Sequence, residues 1–222
     1  MRSIGVLGGT FDPIQNGHIR LALEVRNKLK LDTIKLIPAN IPPHRSMPFA
    51  SANDRKRMVE LAILNQDNLS IDVRELENKN ISYTVNTLIS LRNEFPKDAL
   101  FLIVGEDVFD LIDNWKDWQS LLTYTHIIVA KRPVEHKRNI SDELKVWRNK
   151  NIINDIKILK TTLSGCIFYI NTPIFEISSN MIREYYSKSF EVDMIFKNKN
   201  LDEYLPYNII TYIKKNNLYM DN

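Results

Sequence analysis

From its first residues the chain alternates short apolar runs with stretches of helical period, the pattern of a parallel sheet wrapped by helices. Residues 3–7 read as a buried strand that runs into Gly8-Gly9, and residues 17–30 carry Ile19, Leu21, Ala22, Leu23, Val25 and Leu29 mostly on one helical stripe. A second strand is expected over 33–38. Ser51-Ala-Asn-Asp54 has capping-box form, with Asp where Glu or Gln is usual, and opens a helix through Met58, Leu61, Ala62 and Leu64. Residues 69–73 then read as a strand, 83–95 as a helix stopped by Pro96, and 99–104 as the most apolar strand, running into Gly105. Strands over 126–130 and 166–170 and helices over 179–187 and 206–217 complete the α/β pattern, with an irregular insertion near 133–165.

A chain of 222 residues without a Gly/Ser-rich or Pro-rich linker, internal repeat or low-complexity tract reads as one domain, 1–222. Its 44% hydrophobic and 26% charged content is that of a globular protein, and no apolar run approaches the ~20 residues of a membrane span. The net charge of +3 is too small for a general nucleic-acid binder. Residues 131–160 hold nine Lys or Arg against four Asp or Glu, interleaved with Asn and aliphatics, which suits a solvated helix and loop. Cys166 is the lone cysteine and reads as a small buried hydrophobe; with no signal-peptide pattern at the amino terminus, a reducing cytoplasm is expected. Scattered histidines and one cysteine offer no structural zinc site.

Glycine is scarce, and four of the six (Gly5, Gly8, Gly9, Gly17) fall in the first seventeen residues. Gly5 lies within the first strand and suits close packing of a neighbour. The others bracket a loop, Gly8-Gly9-Thr10-Phe11-Asp12-Pro13-Ile14-Gln15-Asn16-Gly17-His18, that lacks both the Walker and the GxGxxG spacing. Strand, Gly-Gly, loop and helix is nonetheless an anion-binding arrangement: glycines admit a phosphate to the main chain, and a helix amino terminus with a His donor attracts it. Ile177-Ser178-Ser179-Asn180-Met181-Ile182-Arg183 repeats the theme, with hydroxyls at a helix start and Arg183 one turn after Ser179. Two such starts in one α/β chain suggest a polyphosphate ligand. A tight turn and a helix cap are the plainer reading of the same residues.

The loop and the closing ISSNMIR segment resemble the nucleotidyltransferases with an HxGH signature and a closing SSTxIR motif, and among them the bacterial nicotinate-nucleotide adenylyltransferases. Pro42-Pro43-His44-Arg45, Ser82-Tyr83-Thr84 through Leu88, Gly105-Glu106-Asp107, Trp115 and Arg132-Pro133 extend the similarity over nearly the whole chain. It implies a Rossmann-like, doubly wound parallel sheet of nucleotidyltransferase type. It also implies attack of the phosphate of nicotinate mononucleotide on the ATP α-phosphorus, giving deamido-NAD and pyrophosphate, with Mg²⁺ carried in on ATP.

On that resemblance His18, Arg183 and His44 are the catalytic candidates. Gly8, Gly9, Thr10, Phe11, Gln15, Gly105, Asp107, Ser178 and Ser179 would meet ATP. His44, Arg45, Tyr83, Thr84 and Trp115 would meet the pyridine nucleotide, Trp115 by stacking and the helix start at Tyr83-Thr84 by favouring a carboxylate. From the residues alone, Trp115 could equally be a core or lid aromatic, Asp107 and Tyr83-Thr84 helix caps, and His44-Arg45 solvated. His126 and His136 read as structural or exposed. The chain departs from the signature twice: Gln15 stands where the first His is usual, and Asn180 where a Thr is usual. Gln15 can donate to a phosphate but cannot carry charge. Alternative readings are adenylyl transfer to nicotinamide mononucleotide or phosphopantetheine, or a weakly catalytic nucleotide-binding protein. Neither nucleic acid nor membrane is expected as a partner, and assembly as a homo-oligomer is compatible with the sequence.

Overall fold

The computed structural model describes residues 1–43, 46–78, 80–131, 139–173, 177–187 and 201–220. Six strands form one sheet: β1 (Ser3–Gly9), β2 (Thr33–Pro38), β3 (Leu69–Ile71), β4 (Ala99–Gly105), β5 (His126–Lys131) and β6 (Ile167–Asn171), in the order β3-β2-β1-β4-β5-β6 and all parallel. This is the doubly wound order, and its direction reverses between β1 and β4. In such sheets a ligand sits outside the carboxyl ends of the strands at that reversal. Gly8 and Gly9 end β1 and Gly105 ends β4, so these three glycines flank the crevice.

Nine α-helices connect the strands among the described residues: α1 (Asn16–Leu29), α2 (Ala52–Ala62), α3 (Thr84–Glu94), α4 (Glu106–Phe109), α5 (Leu121–Tyr124), α6 (Asp142–Asn151), α7 (Ile156–Leu159), α8 (Ser179–Tyr186) and α9 (Tyr207–Lys215). The period-2 alternation of each strand divides the core between the two faces of the sheet. In β4, Phe101 and Ile103 join Leu36, Ala22, Val25, Met58 and Ile209 on one face. Leu100, Leu102 and Val104 join Val6, Leu88, Leu91, Ile127 and Val129 on the other. Gly5 is needed between them, because a Cβ there would lie 2.7 Å from Ile34 Cγ1 and 3.3 Å from Ile103 Cδ1.

The strands and helices follow the periodicity closely, with differences at their ends. β1 runs through Gly8 and Gly9, which pair with Ile37 and Pro38 of β2. β3 stops at Ile71 because only residues 69–71 pair with β2; Arg74 then doubles back to grip the Asp72 carboxylate at 2.7 and 2.8 Å. The segment near 133–165 is less irregular than its sequence suggests. Its described part carries α6, capped by Ser141 Oγ accepting from Leu144 N–H, and α7. Trp147 of α6 packs edge-on against Trp118 at 5.1 Å, and Ile153 N–H bonds the Ile167 carbonyl of β6.

Candidate active site at the carboxyl ends of the strands

At the end of β1 the chain leaves the sheet beside open space: no atom lies within 4 Å of where a Cβ on Gly8 would sit. Phe11 takes a left-handed backbone conformation (φ 49°) and is buried, its ring turned back against Gly9 and set edge-on to the His18 ring at 5.1 Å. α1 then opens with reciprocal capping. The Gln15 side-chain Oε1 accepts from Gly17 N–H, while His18 Nδ1 accepts from Gln15 N–H at 3.2 Å. A ring nitrogen that accepts carries no proton, so the proton of neutral His18 sits on Nε2. The helix start thus sets the tautomer of a donor at its own positive end.

Gln15 itself faces inward. Only 5% exposed, it donates from Nε2 to the Ile177 carbonyl at 3.3 Å and caps α1 with its oxygen. The amide expected to reach a phosphate is engaged within the protein.

The two anion-suited helix starts are brought together. Ser178 caps α8, its Oγ accepting from Met181 N–H, whereas Ser179 Oγ reaches across to the Pro13 carbonyl at 2.9 Å. Arg183 Nη1 donates to the Asp12 carbonyl at 2.6 Å and Nη2 to Asn180 Oδ1 at 3.0 Å, and the guanidinium lies 4.8 Å from the centre of the Phe49 ring. Asn180, in the place of the usual Thr, therefore steadies Arg183.

Three residues tie this arrangement together: Asp12 of the first loop, and Arg55 and Tyr219, which no motif singles out. Asp12 is 3% exposed, and its carboxylate accepts from Phe49 N–H, Ala50 N–H and the Tyr219 hydroxyl. Arg55 is 1% exposed and donates to the carbonyls of Thr10 (2.8 Å) and Ala39 (2.5 Å), joining the first loop to the loop after β2. Burial lowers its pKa, and the nearby Asp12 opposes that shift.

On the other flank, the loop after β2 is stitched to the segment before α3. Ile41 bridges Ile81, Ser82 N–H bonds the Ile41 carbonyl at 2.9 Å, and Asn40 N–H bonds Ser82 Oγ at 3.0 Å. This places Pro42 and Pro43 beside the start of α3; His44 and Arg45 lie outside the described residues, as do Arg132, Pro133 and His136. Tyr83 occupies the cap position of α3 and Thr84 its first turn, with no side chain capping them. Lys116 Nζ lies over the Tyr83 ring at 4.9 Å, and Trp115, which precedes Lys116 in the chain, is half-buried against the same core face as Tyr83. Beneath it the Glu75 carboxylate accepts from Thr87 Oγ1 at 2.5 Å, and burial pushes the pKa of Glu75 up. Gly105 leads into α4, and the Asp107 carboxylate folds over it, 2.6 Å from where a Cβ would sit. Neither α3 nor α4 has a side-chain cap at its start.

His126 belongs elsewhere. Fully buried in β5, it accepts from Cys166 N–H through Nδ1 and donates through Nε2 to the Thr162 carbonyl at 3.1 Å, a structural role. Among the described residues no group of three or more His, Cys, Asp or Glu is arranged to hold a metal, and no helix is long and apolar enough to cross a membrane.

Residues 6–185 match the Cytidylyltransferase-like family. The chain is 37% identical to a protein of Psychromonas ingrahamii named as a probable nicotinate-nucleotide adenylyltransferase, over 98% of this chain and 97% of that one. A protein of Pseudomonas syringae pv. tomato with the same name is also 37% identical, over 98% and 94%. Among solved structures, the fold is similar to the Plasmodium falciparum nicotinic acid mononucleotide adenylyltransferase complexed with NaAD. The TM-score is 0.71 and the identity 21%, over 99% of this chain and 98% of that one.

Proposed function

The chain belongs to the Cytidylyltransferase-like nucleotidyltransferases and, within them, to the nicotinate-nucleotide adenylyltransferases, and from that membership we infer how its residues divide the reaction. The enzyme transfers the adenylyl group of ATP to nicotinate mononucleotide, forming deamido-NAD and pyrophosphate in NAD biosynthesis. A phosphate oxygen of the mononucleotide attacks the α-phosphorus as the bond to the β-phosphate oxygen breaks. No protein nucleophile is required; positioning and charge neutralisation carry the catalysis.

The observation that carries the division of roles is the junction of the two motifs, with Ser179 and Arg183 bonded to the carbonyls of Pro13 and Asp12. It sets the starts of α1 and α8 on one loop. His18, its Nδ1 held by Gln15 N–H, donates from Nε2 to the ATP phosphates, which approach the main chain at Gly8, Gly9 and Thr10. Two of the five N–H donors of Arg183 go to Asp12 and Asn180, and the remainder serve the outgoing pyrophosphate together with the start of α8. Gly105 and Asp107, at the end of β4, meet the nucleoside of ATP. Mg²⁺ enters with ATP as part of the substrate.

The mononucleotide lies on the β2–α3 flank. His44 and Arg45 receive its phosphate, Trp115 stacks on the pyridine ring, and the uncapped start of α3 at Tyr83-Thr84 receives the carboxylate. A helix amino terminus favours an anion over a neutral amide, so the acid is the preferred substrate. Purified protein given Mg-ATP should release pyrophosphate with nicotinate mononucleotide faster than with nicotinamide mononucleotide, and not with phosphopantetheine. Absence of turnover with either pyridine nucleotide, with ATP binding retained, would overturn the assignment.

A further inference from the structure

We infer that Tyr219, near the carboxyl end of the chain, is a positioning residue for the phosphate loop, acting through the Asp12 carboxylate. This inference rests on the adenylyl-transfer reading above.

Asp12 is the point at which four segments meet. Its carbonyl receives Arg183 at 2.6 Å, and its Oδ2 accepts from Phe49 N–H at 2.7 Å. Its Oδ1 accepts from Ala50 N–H at 3.0 Å and from the Tyr219 hydroxyl at 2.8 Å. Phe49 in turn lies against the Arg183 guanidinium. The Asp12 side chain thus fixes residues 49 and 50 to the first loop, while its main-chain carbonyl fixes Arg183, whose guanidinium lies on the Phe49 ring. Of the three donors to this buried carboxylate, two are the main-chain groups of Phe49 and Ala50, and among the described residues Tyr219 is the one side chain that donates to it.

The chain is built to deliver that side chain. α9 ends in a reversal in which Asn217 N–H bonds the Lys214 carbonyl and Leu218 N–H bonds the Ile213 carbonyl, with Asn217 left-handed at φ 50°. That paired 5→2 and 6→1 pattern turns the backbone back on the helix. Tyr219 then adopts φ 64°, a conformation uncommon for a bulky residue and maintained where surrounding contacts over-determine it. Phe11, on the other side of Asp12, is left-handed as well. Leu218, Tyr219 and Met220 pack against the core, so the phenol is held in place from both sides of its backbone.

The test compares Tyr219→Phe with Tyr212→Phe. The second substitution removes another phenol of the same carboxyl-terminal segment, which bonds Asp54 of α2 at 2.9 Å and does not touch Asp12. Tyr219→Phe should lower kcat about tenfold, as expected when a reacting group is displaced by a fraction of an ångström, with KM for nicotinate mononucleotide unchanged. Tyr212→Phe should leave both constants unchanged. Amide hydrogen exchange should quicken over residues 10–14 and 47–51 in Tyr219→Phe alone. Wild-type kcat in Tyr219→Phe, or an equal loss in both variants, would overturn the inference, the latter by showing that the docking of α9 is what matters. If the wild-type protein turns over no pyridine nucleotide, the functional reading fails instead. Hydrogen exchange then decides the positioning role alone: quickening confined to Tyr219→Phe supports it, and unchanged exchange overturns it.

Discussion

The two ends of the sheet are tied by similar devices that serve different purposes. At the carboxyl end Arg55 gathers the carbonyls of Thr10 and Ala39. At the amino end Arg92 gathers those of Tyr124, Phe95, Asp98 and Leu163 at 2.7–3.1 Å. Each end also has a histidine whose Nδ1 accepts a backbone N–H, from Gln15 onto His18 and from Cys166 onto His126. The same residue types close loops at both ends, but among the described residues the closed loops at the carboxyl end alone include a helix start beside a glycine that faces open space. On the proposed division of roles, position relative to the reversal between β1 and β4 separates chemistry from scaffolding.

The comparison breaks first, and most visibly, at the histidines. His18→Ala should lower kcat by about 10²–10³, the usual cost of losing one preorganised donor, with little change in stability. His126→Ala should do the reverse, costing about 1–3 kcal/mol by urea denaturation for the buried N–H it leaves unsatisfied, with kcat retained. A kcat loss in the second as large as in the first would remove the distinction between the ends.

The arginines sharpen it next. Arg55→Met and Arg92→Met should each destabilise by about 2–3 kcal/mol, because each leaves loop carbonyls without a charged donor. Only Arg55→Met should also reduce kcat/KM, by about tenfold through the displaced phosphate loop. Steady-state kinetics run beside denaturation curves would show whether the two effects separate.

What the sequence disclosed and what it withheld follow from the range of the interactions. Strands and helices were legible because alternation and helical period are local, and Gly5 because a glycine within a buried strand needs a spatial reason. The pairing of the first loop with ISSNMIR was legible through resemblance. The grip of Arg55 was not, since its acceptors are main-chain carbonyls that any residue supplies. Nor was the bond from Tyr219 to Asp12, across 207 positions of sequence separation. Gln15 shows the opposite case. A side chain read as a phosphate donor turns inward to cap α1 and bond Ile177, because a Gln at that position can satisfy the orphan N–H groups of the helix start.

That inward turn yields a smaller prediction. Gln15→Ala should cost about 1 kcal/mol, the usual loss of a helix cap. Gln15→His should not raise kcat, since the position is already integrated as a cap between α1 and the approach to α8. A higher initial rate of pyrophosphate release with the histidine would show instead that the site lacks a cationic donor.

The smallest expected effect separates the ends by pH. Burial lowers the pKa of His126, with a smaller push in the same direction from Arg92, while its bond to the Thr162 carbonyl opposes the shift. A folded pKa below the unfolded value of about 6.5 means that, in the interval between them, the unfolded chain binds more protons than the folded one. Stability therefore has its full His126 contribution above about pH 6.5 and loses it as pH falls through the depressed folded value, with a slope of at most about 1.4 kcal/mol per pH unit. Carboxylates such as Glu75, whose pKa is raised by burial, act in the opposite sense: their contribution is complete below the ordinary Glu value and declines as pH rises through the folded one. The informative quantity is thus the difference in slope between wild type and His126→Gln, followed by urea denaturation from pH 7.5 down to about 5. The slope should flatten in the variant, because glutamine retains no titrating nitrogen at the amino end of the sheet. Identical slopes would mean that His126 is as readily protonated as a solvated histidine, and that burial in β5 does not hold it in the neutral tautomer its two hydrogen bonds require.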